Sequence, residues 1–228
     1  MTVLLLDFFG TLVDYDPSRT AQGYHQTHSL LRDLGAELAY SDFLERWSLT
    51  GSQFDATSDE DDREFSMLDL SHGFLTDIGL AAADADVARL ARTYVTEWNQ
   101  GVRPIGGVPG LVEALAREHR LGVVTNTHDP DLVPGHLEAM GVADHFAVVV
   151  TSVEVGWRKP HPAIYAAAMR ALAVTPDQCT FVGDTRGPDY DGPRAVGMRA
   201  LLIDPHDGHA DVDRAHRLGS VLELSDRL

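Results

Sequence analysis

Four short segments of this chain carry side chains that could do chemistry. Asp7-Phe8-Phe9-Gly10-Thr11 closes an apolar run, Thr125-Asn126-Thr127 closes another, Lys159-Pro160 follows a third, and Gly183-Asp184-Thr185 ends a fourth, with Asp189 five residues beyond Asp184. Together they supply carboxylates, a hydroxyl, an amide and an ammonium. A carboxylate attacks phosphorus only when the phosphoryl oxygens are neutralised, which a hard divalent cation held by carboxylates, helped by a lysine, can do. Transfer is then mostly positioning and electrostatic stabilisation. Of 18 basic residues 17 are Arg and Lys159 alone is Lys. A compact ammonium on a flexible stem is not interchangeable with a planar guanidinium. Lys159 would also offset the crowding of Asp7, Asp184 and Asp189.

The elements that must position these groups follow from periodicity. Residues 3–7 form a short apolar strand, and Gly10 and Thr11 signal a tight loop. From Ser18 to about Gln100 apolar residues recur three or four apart, which predicts helices over 20–35, 41–54, 62–78 and 84–99. Gly35 fits a C′ position, Ser41 and Asp84 fit N-caps, and the acidic run Ser58–Asp62 reads as a linker or helix start. After Pro104 helices over 108–119, 130–140, 161–173 and 189–197 alternate with strands over 121–125, 146–151, 179–183 and 199–203. Short β-rich runs separated by helices imply a parallel sheet covered on both faces, and right-handed crossovers make it doubly wound. The expected fold is α/β, a doubly wound, Rossmann-like core of residues 1–15 and 104–228 with an all-helical insertion at 16–103. In such sheets ligands bind at the carboxyl ends of the strands, where the four segments converge.

These segments, in this order, resemble the four motifs of the haloacid dehalogenase-like superfamily. The likeness covers about 1–15 and 104–205, and the insertion stands where that family has its cap. The resemblance implies a hydrolase in which Asp7 is the nucleophile, Thr125 and Lys159 clamp the transferring group, and Thr11 and Asn126 also contact substrate. It further implies that Asp7, Asp184 and Asp189, with the backbone carbonyl of Phe9, hold Mg²⁺. One departure matters. The family's phosphatases carry Asp two residues after the nucleophile, as the proton donor, and this chain has Phe9. General acid-base help worth roughly 10²–10⁴ is missing unless another group supplies it.

Two enzymatic readings follow. One is metal-dependent phosphoryl hydrolysis of a leaving group that needs little protonation, or with a substitute acid from the cap. The other is carbon–halogen cleavage through an aspartyl ester, since the family's 2-haloacid dehalogenases have an aromatic residue at this position. Asp184 and Thr125-Asn126-Thr127 are more similar to the phosphatase pattern, which places phosphoryl chemistry first. A catalytically impaired phosphate-binding or regulatory protein is a third reading. A Schiff-base phosphonatase is excluded, because the insertion contains no lysine.

Composition narrows the partners and leaves room for a small anionic substrate at a local site. A net charge of −17 argues against nucleic acid or an anionic membrane as partner. No stretch approaches the roughly 20 apolar residues of a membrane span. The opening Met1–Leu6 lacks a basic leader and reads as a strand, hence a cytoplasmic expectation, with oligomeric state left open. Cys179 is the single cysteine, so no intrachain disulfide forms. Arg158 and Arg186 flank motif positions and could steer an anion. His25 and His28 read as residues of an amphipathic face, Asp204–Asp213 as a polar loop, and Trp47, Trp98, Phe54, Phe65 and Phe74 as the core of the insertion.

Overall fold

In the computed structural model, which describes residues 2–228, the first apolar run forms strand β1 (Val3–Leu6), buried at all four positions. Met1 of the expected opening strand lies outside the described residues. A tight loop leads to the two-residue strand β2 (Val13–Asp14). Helices α1 (His25–Asp33), α2 (Tyr40–Asp61), α3 (Met67–Asp77) and α4 (Asp84–Trp98) follow, before the short β3 (Arg103–Pro104). The chain then alternates: α5 (Val108–Ala116), β4 (Arg120–Thr125), α6 (Leu132–Ala139), β5 (Phe146–Thr151), the single turn α7 (Ser152–Val155), α8 (Pro162–Leu172), β6 (Cys179–Gly183), a π-helical turn at Arg186–Asp191, α9 (Gly192–Ala195), β7 (Arg199–Ile203) and β8 (Arg217–Leu218).

The six-stranded sheet has the order β5-β4-β1-β6-β7-β8, every pair parallel. Strands read as continuous apolar runs because both faces are covered, as β1, β4 and β6 show. One face packs Val3, Leu5, Val124 and Phe181 on Ile164, Tyr165 and Ala168 of α8. The chain grows from central β1 outward through β4 to β5, then crosses back to β6 and β7. The winding therefore reverses beside β1, and the crevice at the carboxyl ends of β4, β1 and β6 is the topological switch point. Leu6 lies between Val123 and Val182 in register, so residues after it emerge into that crevice.

The chain divides into two compact units, one comprising residues up to Asp14 together with Pro104–Leu228, the other Tyr15–Arg103. The second unit is built from helices α1 to α4, around buried Tyr24, Phe43, Trp47, Phe74, Leu90 and Tyr94, with Phe65 also buried and Phe54 and Trp98 packed against the cluster. Buried Glu97 of α4 holds the start of α1, accepting hydrogen bonds from the backbone N–H of Gln26 and Thr27 at 2.8 Å each and from the Thr27 hydroxyl at 2.7 Å.

Several helix ends differ from the periodic reading. The first starts at His25 rather than near 20, because the preceding stretch is occupied elsewhere: Tyr24 N–H donates to the Tyr40 hydroxyl, and Arg19 C=O accepts from Tyr94. Ser41 and Asp84 lie inside their helices, whose N-caps are Ala39 and Ala83. The run Ser58–Asp62 is the end of α2, not a linker or a start, with Asp62 as left-handed C-cap at φ 60°. Acidic residues there oppose the helix dipole, so local preference is overridden by packing: Ser58 is buried, and Phe54 meets Phe65 at 5.1 Å between ring centroids. The third helix begins at Met67, not 62, after a capping box of Ser66 and Asp69 worth about 1 kcal/mol. The helix expected at 189–197 is a π-turn and a single α-turn, since Pro188 and Pro193 lack the N–H that a regular helix requires. Gly35, at φ 97°, follows the C-cap of α1 as expected.

Candidate active site

Asp7 continues the β1 ladder through its own N–H to Val182 O at 2.9 Å and is 7% exposed at the strand's carboxyl end. The loop after it turns sharply: Leu12 N–H donates to Phe8 O at 2.8 Å and Gly10 N–H to Val13 O at 2.8 Å. Gly10 sits at φ 77°, and a Cβ there would come 2.3 Å from Asp184 Oδ2. Glycine is thus required twice, by conformation and by the carboxylate lying against it. Phe9 is half-buried, its ring edge-on to buried Phe8 at 5.0 Å.

Lys159 is 3% exposed, and its ammonium lies between two carboxylates, 2.8 Å from Asp7 Oδ1 and 2.7 Å from Asp189 Oδ1. The contact to Asp189 has hydrogen-bond geometry, and the one to Asp7 is a close ion pair. Burial alone would push the Lys159 pKa down, but Asp189 and Asp7 outweigh it and raise it, so the ammonium stays charged. Asp189 is fully buried, and its other oxygen accepts from Thr185 N–H at 2.9 Å. It occupies the place a side chain at Gly183 would take, 2.4 Å from such a Cβ.

Asp184 is half-buried, and the Thr11 hydroxyl donates to its Oδ1 at 3.4 Å. Burial first, then the charge of Asp7, raises its pKa to about 6. Asp189 is raised too, by burial first, with Lys159 opposing and Asp7 adding. The three carboxylates offer oxygens within 4.8 Å of one another. Three carboxylates against one ammonium leave excess negative charge, and an all-oxygen donor set fits a hard divalent cation.

The structure brings Asp7, Lys159, Asp184 and Asp189 together as the sequence segments suggest. Thr125 is buried at the end of β4. Thr11 and Asn126 have other attachments than a substrate: Thr11 is fully buried against Asp184, and the Asn126 amide is engaged by the backbone of Lys159. Arg186 is gripped by Asp191 at 3.2 Å and Asp211 at 2.6 Å. Asp204–Asp213 is a polar loop, with Asp204 accepting from the N–H groups of Gly208 and His209. His25 is exposed and stacked on Tyr40, and half-buried His28 meets Leu38 O at 2.8 Å. Two supports are not legible in the sequence. Ser152 Oγ accepts from Thr127 N–H at 2.9 Å and donates to Thr127 O at 3.2 Å, and the Tyr165 hydroxyl donates to Pro188 O at 2.5 Å, within the π-turn that carries Asp189. Only the glycine at 192 hinted at the second, because a Cβ there would lie 2.3 Å from that hydroxyl.

No helix among the described residues is long and apolar enough to cross a membrane. Among solved structures, the chain is similar to a 2-haloacid dehalogenase from Pseudomonas syringae pv. Tomato, with a TM-score of 0.69 at 24% identity over 100% of this chain and 97% of that one. It is similar to a phosphatase of the same superfamily from Thermococcus onnurineus, with a TM-score of 0.68 at 23% identity over 99% and 97%. These likenesses establish the fold. In sequence it is 37% identical to a phosphoserine phosphatase of Thermus thermophilus over 118 residues, 50% of this chain and 46% of that protein. The match thus spans about half the length of that relative. Over nearly full length, 99% of this chain and 98% of the other, it is 26% identical to a ribulose-1,5-bisphosphate 5-phosphatase of Halopiger xanaduensis. Residues 1–197 match the family described as haloacid dehalogenase-like hydrolase, and with the carboxylates and lysine gathered at the switch point of a parallel sheet, the chain belongs to that family of hydrolases.

Proposed function

We propose that this hydrolase cleaves phosphate from a small anionic metabolite through an aspartyl-phosphate at Asp7, with Mg²⁺ as its cofactor. The observation that carries the reading is the cluster of Asp7, Asp184 and Asp189, two of which, Asp7 and Asp189, pair with one ammonium. A metal-free haloacid hydrolase would set those carboxylates against the carboxylate of its own substrate. Asp7 and Asp184 would hold the cation, with the Phe9 backbone carbonyl and Asp189 beside them. When bound, it would withdraw charge from the phosphoryl oxygens as a Lewis acid.

In the proposed steps a carboxylate oxygen of Asp7 attacks phosphorus, and the bond from phosphorus to the leaving oxygen breaks. Lys159 and Thr125 hold the transferring oxygens. Water then attacks the phosphorus of the aspartyl-phosphate, restores the Asp7 carboxylate and leaves as inorganic phosphate carrying both of its protons. Phe9 can neither protonate the leaving oxygen nor activate that water. Acyl phosphates and phosphoanhydrides, whose leaving groups are stable anions, are therefore better substrates than alkyl phosphates. The helical unit Tyr15–Arg103 serves as the cap and supplies substrate selectivity, and the protein works in the cytoplasm.

Phe9 is also the observation that favours a second reading, dehalogenation, because halide leaves unprotonated. The test is turnover of acetyl phosphate, a phosphomonoester and 2-chloropropionate, each with Mg²⁺ or with EDTA. Phosphate release abolished by EDTA is expected. Halide release indifferent to EDTA would establish dehalogenation, and inorganic phosphate binding without any turnover would establish a binding protein.

A further inference from the structure

Asn126 directly follows β4, 33 residues before Lys159 in sequence, and its side-chain amide pairs with the peptide groups of that lysine. Its Nδ2 donates to Lys159 O at 3.0 Å, and its Oδ1 accepts from Lys159 N–H at 2.7 Å. Each end of the amide makes a bond to the same residue, one N–H donating to and the oxygen accepting from the lysine's main chain. The neighbouring pair repeats the device one position on, with Ser152 bonded to both N–H and C=O of Thr127. The segment after β4 is thereby fastened to the first residue of α7 and to the loop at Lys159.

We infer that Asn126 is a positioning residue that fixes the main chain of Lys159 so that its buried ammonium falls between Asp7 and Asp189, rather than a substrate contact. A lysine has a long stem with many rotamers, and where its ammonium rests depends on where its Cα is held. The two hydrogen bonds fix that Cα in translation and rotation, as a bidentate contact does. Ammonium distances of 2.8 and 2.7 Å to two carboxylates leave little room for displacement of the stem. This role rests on the proposed phosphoryl clamp at Lys159, and it predicts that Asn126 acts on phosphate only through that lysine.

The experiment is a double-mutant cycle on the affinity for inorganic phosphate at saturating MgCl₂, read by calorimetry, with Mg²⁺ affinity measured separately. Lys159→Met weakens phosphate binding. Asn126→Ala weakens it about tenfold when Lys159 is present, the scale of one to two lost hydrogen bonds, and by less than about twofold in the Lys159→Met background. Mg²⁺ affinity of Asn126→Ala stays within about twofold of the parent. Asn126→Asp, which keeps the shape and one acceptor, goes through the same cycle should the alanine variant fold poorly; any direct charge effect on phosphate persists without Lys159 and cancels. Equal losses with and without Lys159 would show direct contact or general damage and overturn the inference while leaving the clamp standing. No effect of Lys159→Met on phosphate would overturn the clamp itself and the inference with it.

Discussion

Gly10 and Asp184 compete for the same space: the position of a Cβ on Gly10 lies 2.3 Å from Asp184 Oδ2 and 2.6 Å from its Cγ. The backbone at φ 77° compounds the conflict. Gly10→Ala is therefore expected to displace the Asp184 carboxylate from the cluster. Left-handed backbone costs a non-glycine residue about 1–2 kcal/mol, and disturbing a metal ligand's surroundings typically costs about 10–100-fold in affinity. Calorimetric titration with Mg²⁺ checks this. An alanine variant that binds the ion as tightly as the parent would show that Asp184 is not held by this contact.

Proton competition should make the cation's effect depend on pH. A carboxyl whose pKa is higher folded than unfolded binds its proton more tightly in the folded protein. The contribution of Asp184 is thus fully present below its unfolded value of 3.8 and lost as pH rises through about 6. Asp189 acts in the same direction. For half-buried Asp184 the change is on the order of 1–2 kcal/mol after allowing for solvent screening. The EDTA-treated protein is expected to lose stability between pH 4 and 7 from this source, and Mg²⁺ to raise Tm more at pH 8 than at pH 5. An equal rise at the two pH values would argue against binding at these carboxylates.

Tyr165 supports Asp189 from α8 through its hydrogen bond to Pro188 O. Tyr165→Phe removes only the hydroxyl and leaves a carbonyl of the π-turn without that donor, at an expected cost of about 1–2 kcal/mol. π-turns are often found at functional sites, and loosening this one should weaken Mg²⁺ binding about tenfold. Urea unfolding and Mg²⁺ titration of the variant measure the two effects. Stability loss without any change in the ion's affinity would confine Tyr165 to packing.

Phe9 sets the chemistry of the leaving group. Phe9→Asp is expected to raise phosphomonoesterase activity by about 10²-fold or more, because it installs the missing proton donor. Activity on acetyl phosphate should change far less. Steady-state kinetics on both substrates gives the comparison, and the absence of any gain on the monoester in a folded, Mg²⁺-binding variant would remove proton donation as the limiting deficit.

The residues alone determined the alternation of strands and helices after Pro104, the all-helical stretch before it, and the gathering of Asp7, Lys159, Asp184 and Asp189. Those features depend on periodicity and on the rule that strand ends of a parallel sheet converge, both local in sequence. Only the tertiary structure decided what holds the groups in place. Asn126 reads locally as a turn residue or a ligand, and its pairing with Lys159 exists because two loops 33 residues apart meet. Thr11 likewise faces Asp184 across 173 residues. The end of α2 at Asp61 was illegible for the same reason: its acidic run disfavours a helix terminus locally, whereas packing through Phe54 and Ser58 prevails. Hydrogen bonds and packing act over a few ångströms of space, whatever the separation along the chain, so a sequence can announce the reactive groups while the contacts that aim them appear only once the chain has folded.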